Sequence, residues 1–165
     1  MTSVPPPPLA AIMPATPSSI GKTSAGRSPA RVIVSDLVQR TRSLLAAATR
    51  DAFFAETVLL ARIGPGGLHH PHADNSRQDA DGNWVPNHTP MRHYSTIAYI
   101  SEEFEGGEIR FLDQDLSIRP RTGLLVAFPS DHRYVHEVVP VRSGVRYTLP
   151  IWYTRAEDRA TADLK

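Results

Sequence analysis

Tyr134-Val135-His136-Glu137-Val138-Val139-Pro140-Val141-Arg142-Ser143-Gly144-Val145-Arg146-Tyr147-Thr148-Leu149-Pro150-Ile151-Trp152-Tyr153 is the stretch that decides the fold. Residues 135–141 and 145–153 are rich in β-branched and aromatic side chains, so each half reads as a strand. Ser143-Gly144 between them reads as a turn, and the two halves are expected to close as a hairpin. Alternation places Arg146, Thr148 and Trp152 on one face of the last strand and Val145, Tyr147, Leu149 and Ile151 on the other.

Working outward, residues 94–100, 108–112 and 124–128 read as further strands. Phe104-Glu105-Gly106-Gly107, Pro120-Arg121-Thr122-Gly123 and Pro129-Ser130-Asp131 punctuate them. The Leu124-Leu125-Val126-Ala127-Phe128 run is apolar throughout, as expected of a strand buried on both faces. Short strands between Gly/Pro turns predict a sandwich or jelly-roll barrel. Further upstream, residues 52–63 become strand-like in their second half and end at Gly64-Pro65-Gly66-Gly67. Residues 31–50 carry a helical apolar stripe, with Ser35-Asp36 as the expected N-cap, and should pack outside a sheet. Residues 75–90 read as a long polar loop, with Trp84 as either lid or anchor. Residues 1–30 are rich in Pro, Ser, Thr and Ala, with a Pro5-Pro6-Pro7-Pro8 run, and are expected to be a disordered tail before a single domain at 31–165. Ile20-Gly21-Lys22-Thr23 is not a phosphate loop, because Thr16 stands where its first glycine belongs.

The chemistry gathers at His72-Ala73-Asp74. On a strand, residues two apart share a face, so an imidazole and a carboxylate stand side by side. His136, in its own β-branched run, is the best third ligand. Two imidazoles and one carboxylate on one side of a metal leave the opposite positions open, the arrangement of non-heme Fe(II) oxygenases. Arg146 follows ten positions after His136 and can grip a carboxylate through two parallel hydrogen bonds. His-x-Asp alone is short and recurs by chance, so its weight comes from this downstream context.

Composition narrows the classes. The 165 residues carry a formal charge of +1, which gives no electrostatic case for nucleic acid or membrane. There is no cysteine, which excludes disulfides, thiolate zinc sites and iron–sulfur clusters and suits a reducing compartment. No apolar run approaches a membrane span, and no basic start precedes an apolar core, so the cytoplasm is the expected location.

The order and spacing of His72-Ala73-Asp74-Asn75, Arg92 to Ile100, Phe104-Glu105-Gly106-Gly107-Glu108-Ile109-Arg110-Phe111, Pro120-x-x-Gly123 to Phe128, His136-Glu137-Val138 and Gly144-x-Arg146-Tyr147 resemble the prolyl-hydroxylase branch of the Fe(II)/2-oxoglutarate dioxygenases. The likeness is greatest to the leprecan-type prolyl 3-hydroxylases and covers about residues 58–154. The resemblance implies a mainly β single domain, a double-stranded β-helix of jelly-roll, cupin-like type with a flanking helix. It implies Fe(II) on His72, Asp74 and His136, with 2-oxoglutarate as cosubstrate, dioxygen as oxidant and ascorbate as a compatible reductant. Arg146 would hold the distal carboxylate, with His69 and Thr148 as further cosubstrate contacts. The family often has tyrosine where this chain has His69, and prolyl 4-hydroxylases have lysine where it has Arg146. The implied reaction hydroxylates an unactivated C–H bond of a prolyl or other amino-acid or peptide substrate, releasing succinate and carbon dioxide.

Arg92, Arg110, Trp84 and Trp152 are candidate substrate contacts, each with an ordinary surface or core role as its alternative. His70, His88, His93 and His132 lie near the site in sequence without a ligand pattern. A zinc hydrolase using the same ligands would need a general base, and Glu137 should face away from the site. A non-catalytic β-helix binding module would have had no need to keep all three ligands and Arg146, and a cupin-like storage or sensor protein would carry more histidines at other spacings. An exposed sheet edge in so small a barrel would be covered by a homodimer.

Overall fold

A computed structural model describes residues 10–14 and 28–161. Strand β1 (Ala10–Pro14) precedes helix α1 (Pro29–Thr49), and strands β2 (Phe54–Val58), β3 (Ala61–Ile63) and β4 (His69–His72) follow. Next come β5 (Ser76–Gln78), β6 (Trp84–Pro86), β7 (Tyr94–Tyr99), β8 (Phe104–Gly106), β9 (Ile109–Phe111), β10 (Leu116–Ile118) and β11 (Leu124–Pro129). A 3-10 turn at His132–Tyr134 leads into β12 (His136–Val138), β13 (Val141–Gly144) and β14 (Arg146–Thr154).

The large sheet runs β1-β11-β7-β14-β2, with β3 also on β14, and the small one runs β10-β9-β12-β4. All of the pairings are antiparallel. Ile97, Tyr99, Ile109, Phe111, Val126 and Phe128 join in one buried cluster drawn from strands of both sheets. The architecture is a double-stranded β-helix.

Helix α1 covers the other face of the large sheet. Its buried Val38, Thr41 and Leu45 form one stripe, and Val38 and Leu45 meet Phe53, Ala55, Ala127, Ile151 and Tyr153. This explains the uninterrupted apolar β11: Val126 and Phe128 face the other sheet while Ala127 faces the helix side. Burying a Val or Leu side chain contributes roughly 1.5–3 kcal/mol, which makes this stripe the helix's main anchor.

Four expectations need correction. The helix starts at Pro29 after Ser28, ahead of the expected Ser35-Asp36 cap. Proline is preorganised for the first helical position, and Val34, packed on the core, already belongs to the stripe. Asp36 instead pairs with Arg40 one turn on, at 2.8 Å. Within the expected disordered tail, residues 10–14 form an edge strand on β11, because Ala-Ala-Ile-Met supplies backbone donors and acceptors to an edge that would otherwise be open. The remainder of 1–27 lies outside the described residues.

The expected loop at 75–90 contains a hairpin, β5 on β6. The Asp79 carboxylate closes it by accepting from the backbone N–H of Asp81 (3.0 Å) and Asn83 (2.9 Å). Finally, 135–141 and 145–153 do not pair with each other. β12 lies between β4 and β9, β13 pairs with β8, and β14 crosses to the large sheet beside β7. Pro140 has no N–H to extend the β12 ladder, so the chain changes sheets there.

Candidate metal centre

The ligand atoms of His72, Asp74 and His136 all lie within 4.8 Å of one another, the one such cluster found among the described residues. His72 and His136 are direct cross-strand partners of β4 and β12, with ring centroids 4.4 Å apart. Each imidazole is aimed by a backbone carbonyl two residues earlier: His72 Nδ1 is 2.7 Å from His70 O, and His136 Nδ1 is 3.0 Å from Tyr134 O. A carbonyl only accepts, so Nδ1 carries the proton and Nε2 is left with a free lone pair. The two Nε2 atoms stand 3.8 Å and 3.9 Å from Asp74 carboxylate oxygens.

Asp74 sits in a bend just past the end of β4, so the strand-alternation argument does not place it. Its backbone does. The N–H groups of Asp74 and Asn75 both donate to Ser130 O (3.0 and 3.1 Å), and Asp74 O accepts from Thr89 Oγ1 (2.9 Å) and Asn87 Nδ2 (3.2 Å). Its Oδ2 accepts from Ser95 Oγ at 2.5 Å. Burial pushes the His136 imidazole down to about 4, against the opposing pull of Asp74, so it is neutral and ready to ligate at neutral pH.

Arg146 lines the same cavity of about 110 Å³ as the three ligands. It is 2 % exposed. Nε donates to Gly107 O (3.1 Å), one terminal nitrogen to Thr148 Oγ1 (3.2 Å), and the other to Tyr99 Oη (3.3 Å). All three partners are neutral, and among the described residues no carboxylate pairs with it. Burying a guanidinium without a counter-ion is costly, and an anion entering the cavity would relieve that cost. Gly107 makes room for it: φ is +66°, and a Cβ there would stand 3.0 Å from Arg146 Cδ.

The other candidates divide clearly. Thr148 is fully buried beside Arg146, and His69 lines the cavity while staying exposed. Trp152 lines the cavity with Arg92 stacked over it at 4.1 Å, and Arg92 pairs with Glu56 at 3.1 Å. Arg110 is turned away from the cavity and pairs with Glu137 at 3.7 Å. Trp84 stacks on His132 (5.5 Å, 22°), while His70 and His88 are exposed and His93 accepts from Arg155 N. A larger cleft of about 480 Å³, lined by residues that include Glu102, Glu105, Arg121 and Arg142, shares no residue with the site.

Sequence reasoning passed over Ser95, Ser130 and Tyr99. The available signal was a hydroxyl at Ser95 on the same strand face as Ile97 and Tyr99, both of which belong to the core.

The family model of the 2OG-Fe(II) oxygenase superfamily matches residues 58–154. The chain is 34 % identical over 118 residues to prolyl 3-hydroxylase 2 of Gallus gallus, covering 62 % of this chain and 17 % of that protein. It is 31 % identical over 156 residues to prolyl 3-hydroxylase 3 of Mus musculus, covering 83 % of this chain and 21 % of that one. The chain therefore spans about a fifth of these relatives' length. Among solved structures, the viral collagen prolyl hydroxylase of Paramecium bursaria Chlorella virus-1 superposes with a TM-score of 0.65 at 21 % identity, covering 80 % of this chain and 78 % of that one. A Pseudomonas putida prolyl-4-hydroxylase gives 0.59 at 24 %, covering 81 % and 70 %. At these identities the structural likeness speaks to the fold.

Proposed function

The chain belongs to the 2OG-Fe(II) oxygenase superfamily, and from that premise we propose that it hydroxylates an unactivated C–H bond of a prolyl or other peptide substrate while converting 2-oxoglutarate to succinate and carbon dioxide. The observation that carries the proposal is Arg146: a buried cation with only neutral partners, lining the cavity that also holds His72, Asp74 and His136.

The donor set fits Fe(II). Two neutral imidazoles and a carboxylate are hard-to-borderline ligands on one side of the site, and both histidines present the ligating nitrogen. Bound there, the metal and its cosubstrate supply the oxidising chemistry, with one oxygen atom of dioxygen going to succinate and the other to the substrate. The protein's own work is placement. Arg146 neutralises and orients the far carboxylate, and Thr148 and Tyr99 hold the guanidinium in that pose. The buried side chains of Ile97, Phe128 and Val138 form the apolar wall of the cavity.

A prolyl substrate rests on the prolyl 3-hydroxylase relatives, with Trp152, which lines the cavity with Arg92 stacked over it, as the candidate side chain to meet it. A reducing compartment belongs to the same proposal, supported by the absence of cysteine. The zinc-hydrolase reading lacks its base: Glu137 is on the opposite side of β12 from His136 and occupied by Arg110.

The test is an anaerobic titration of metal-free protein with Fe(II) and then 2-oxoglutarate, following the visible charge-transfer band of the chelate. The band appears in the wild type and is lost in His72→Ala. A folded, metal-binding wild type without the band would overturn the assignment.

A further inference from the structure

The geometry points to Ser95 and Ser130 as a positioning pair that fixes the orientation of the Asp74 carboxylate as a metal ligand. This rests on the metal-site reading above and adds to it two residues that touch neither metal nor substrate.

The hydrogen-bond directions are determined. An ionised carboxylate only accepts, so the single proton of Ser95 Oγ goes to Asp74 Oδ2, 2.5 Å away. Ser95 Oγ must then accept from Ser130 Oγ, 2.7 Å away. Both serines are 1 % exposed, so no water competes for these bonds. In so dry a setting each bond polarises the next, and the bond to the charged oxygen is the strong one.

The frame behind the pair is rigid. Ser95 lies in β7 at the centre of the large sheet, in register with Phe128 of β11 on one side and Trp152 of β14 on the other. Ser130 follows β11 directly, and its carbonyl holds the backbone N–H of both Asp74 and Asn75. Ser130 therefore grips the ligand residue at its main chain and, through Ser95, at its carboxylate.

The consequence is a carboxylate oriented before the metal arrives. Oδ2 accepts from Ser95 and stands 3.9 Å from His136 Nε2, while Oδ1 has no hydrogen bond among the described residues and stands 3.8 Å from His72 Nε2. The bond to Ser95 takes one lone pair of Oδ2 and stops the carboxylate turning about its Cβ–Cγ bond, so both oxygens keep their places against the two imidazoles.

Cobalt(II) binding to the chelator-stripped protein tests this without turnover. Removing a group that orients a metal ligand weakens binding roughly 10–100-fold, so Ser95→Ala should raise the cobalt dissociation constant by that factor. Ser130→Ala should raise it less. Because Ser130 acts on the carboxylate through Ser95, the double variant should be no worse than Ser95→Ala. Ser95→Cys, nearly isosteric but a weak donor, should behave like Ser95→Ala and serves if the alanine variant does not fold. Wild-type affinity in the folded Ser95 variant, or independent, additive losses from the two serines, would overturn the pairing. Neither result touches the oxygenase reading, which stands or falls on the charge-transfer band of the wild type.

Discussion

Arg146 is the residue on which the cosubstrate reading turns. Arg146→Gln keeps a hydrogen-bonding side chain but removes the charge proposed to meet the cosubstrate's carboxylate. Truncating one member of a buried charge pair costs about 2–5 kcal/mol, so the 2-oxoglutarate needed for the charge-transfer complex should rise about thirtyfold or more, with Fe(II) affinity little changed. The two glycines before β9 give a second prediction at this scale. Gly107→Ala sets a Cβ at 3.0–3.2 Å from Arg146 Cδ, Phe104 Cε2 and Val141 Cγ2, all side-chain atoms that can give a little. Gly106→Ala sets one at 2.2 Å from the backbone oxygen of Pro140, which cannot. Both positions have positive φ. Thermal unfolding should therefore show Gly106→Ala as the more damaging, and 2-oxoglutarate titration should show Gly107→Ala weakening the cosubstrate site. Histidines, a carboxylate and an arginine at these spacings were legible in the sequence because few other tasks need them together. Ser95 and Ser130 were not, since a serine on a strand or after a proline has many ordinary uses and only the 2.5 Å and 2.7 Å contacts reveal this one.

At the scale of elements, most strands could be read, but their partners could not. Periodicity reports which face of a strand is buried, and it found the faces of β14 correctly: Arg146, Thr148 and Trp152 line the cavity, while Ile151 packs toward α1. It says nothing about which strand lies alongside, so the apparent hairpin around Ser143-Gly144 was resolved only by the sheet change at Pro140. The start of α1 was missed for a related reason. A serine–aspartate pair inside a helix looks like a cap until the apolar stripe is seen to begin at Val34, before it. Because α1 packs on the face opposite the metal, stability and ligation should separate. Leu45, 1 % exposed, anchors the helix, and Leu45→Ala should destabilise the fold by about 2–5 kcal/mol through the cavity it leaves. Denaturant unfolding should show that loss while metal affinity, measured well below the transition, stays near wild type.

The whole molecule builds its metal site by burying a neutral histidine, and that choice should appear as sensitivity to acid. His136 is 4 % exposed, and burial lowers its imidazole from the ordinary 6.5 to about 4. In the unfolded chain the same ring takes up its proton near 6.5. Above that pH both states are neutral and this group gives no pH dependence. Between about 6.5 and 4 the unfolded chain holds a proton that the folded protein refuses, so stability drains away as the pH falls. Below about 4 both states are protonated and the loss is complete. The span corresponds to about 3 kcal/mol, a large share of the stability of a domain this size. His69 and His93, also lowered by burial, add to the effect with the same sign. Melting temperature measured in the presence of chelator should therefore hold steady from pH 8 to about 6.5 and then fall toward pH 4. His136→Gln, which cannot take up a proton, should flatten the fall. Saturating metal should steepen it, because ligation requires the unprotonated ring and adds a second reason for the folded state to exclude the proton. A melting temperature that is flat across this range in the chelated wild type would show that the folded protein admits a proton at His136 as readily as the unfolded chain does.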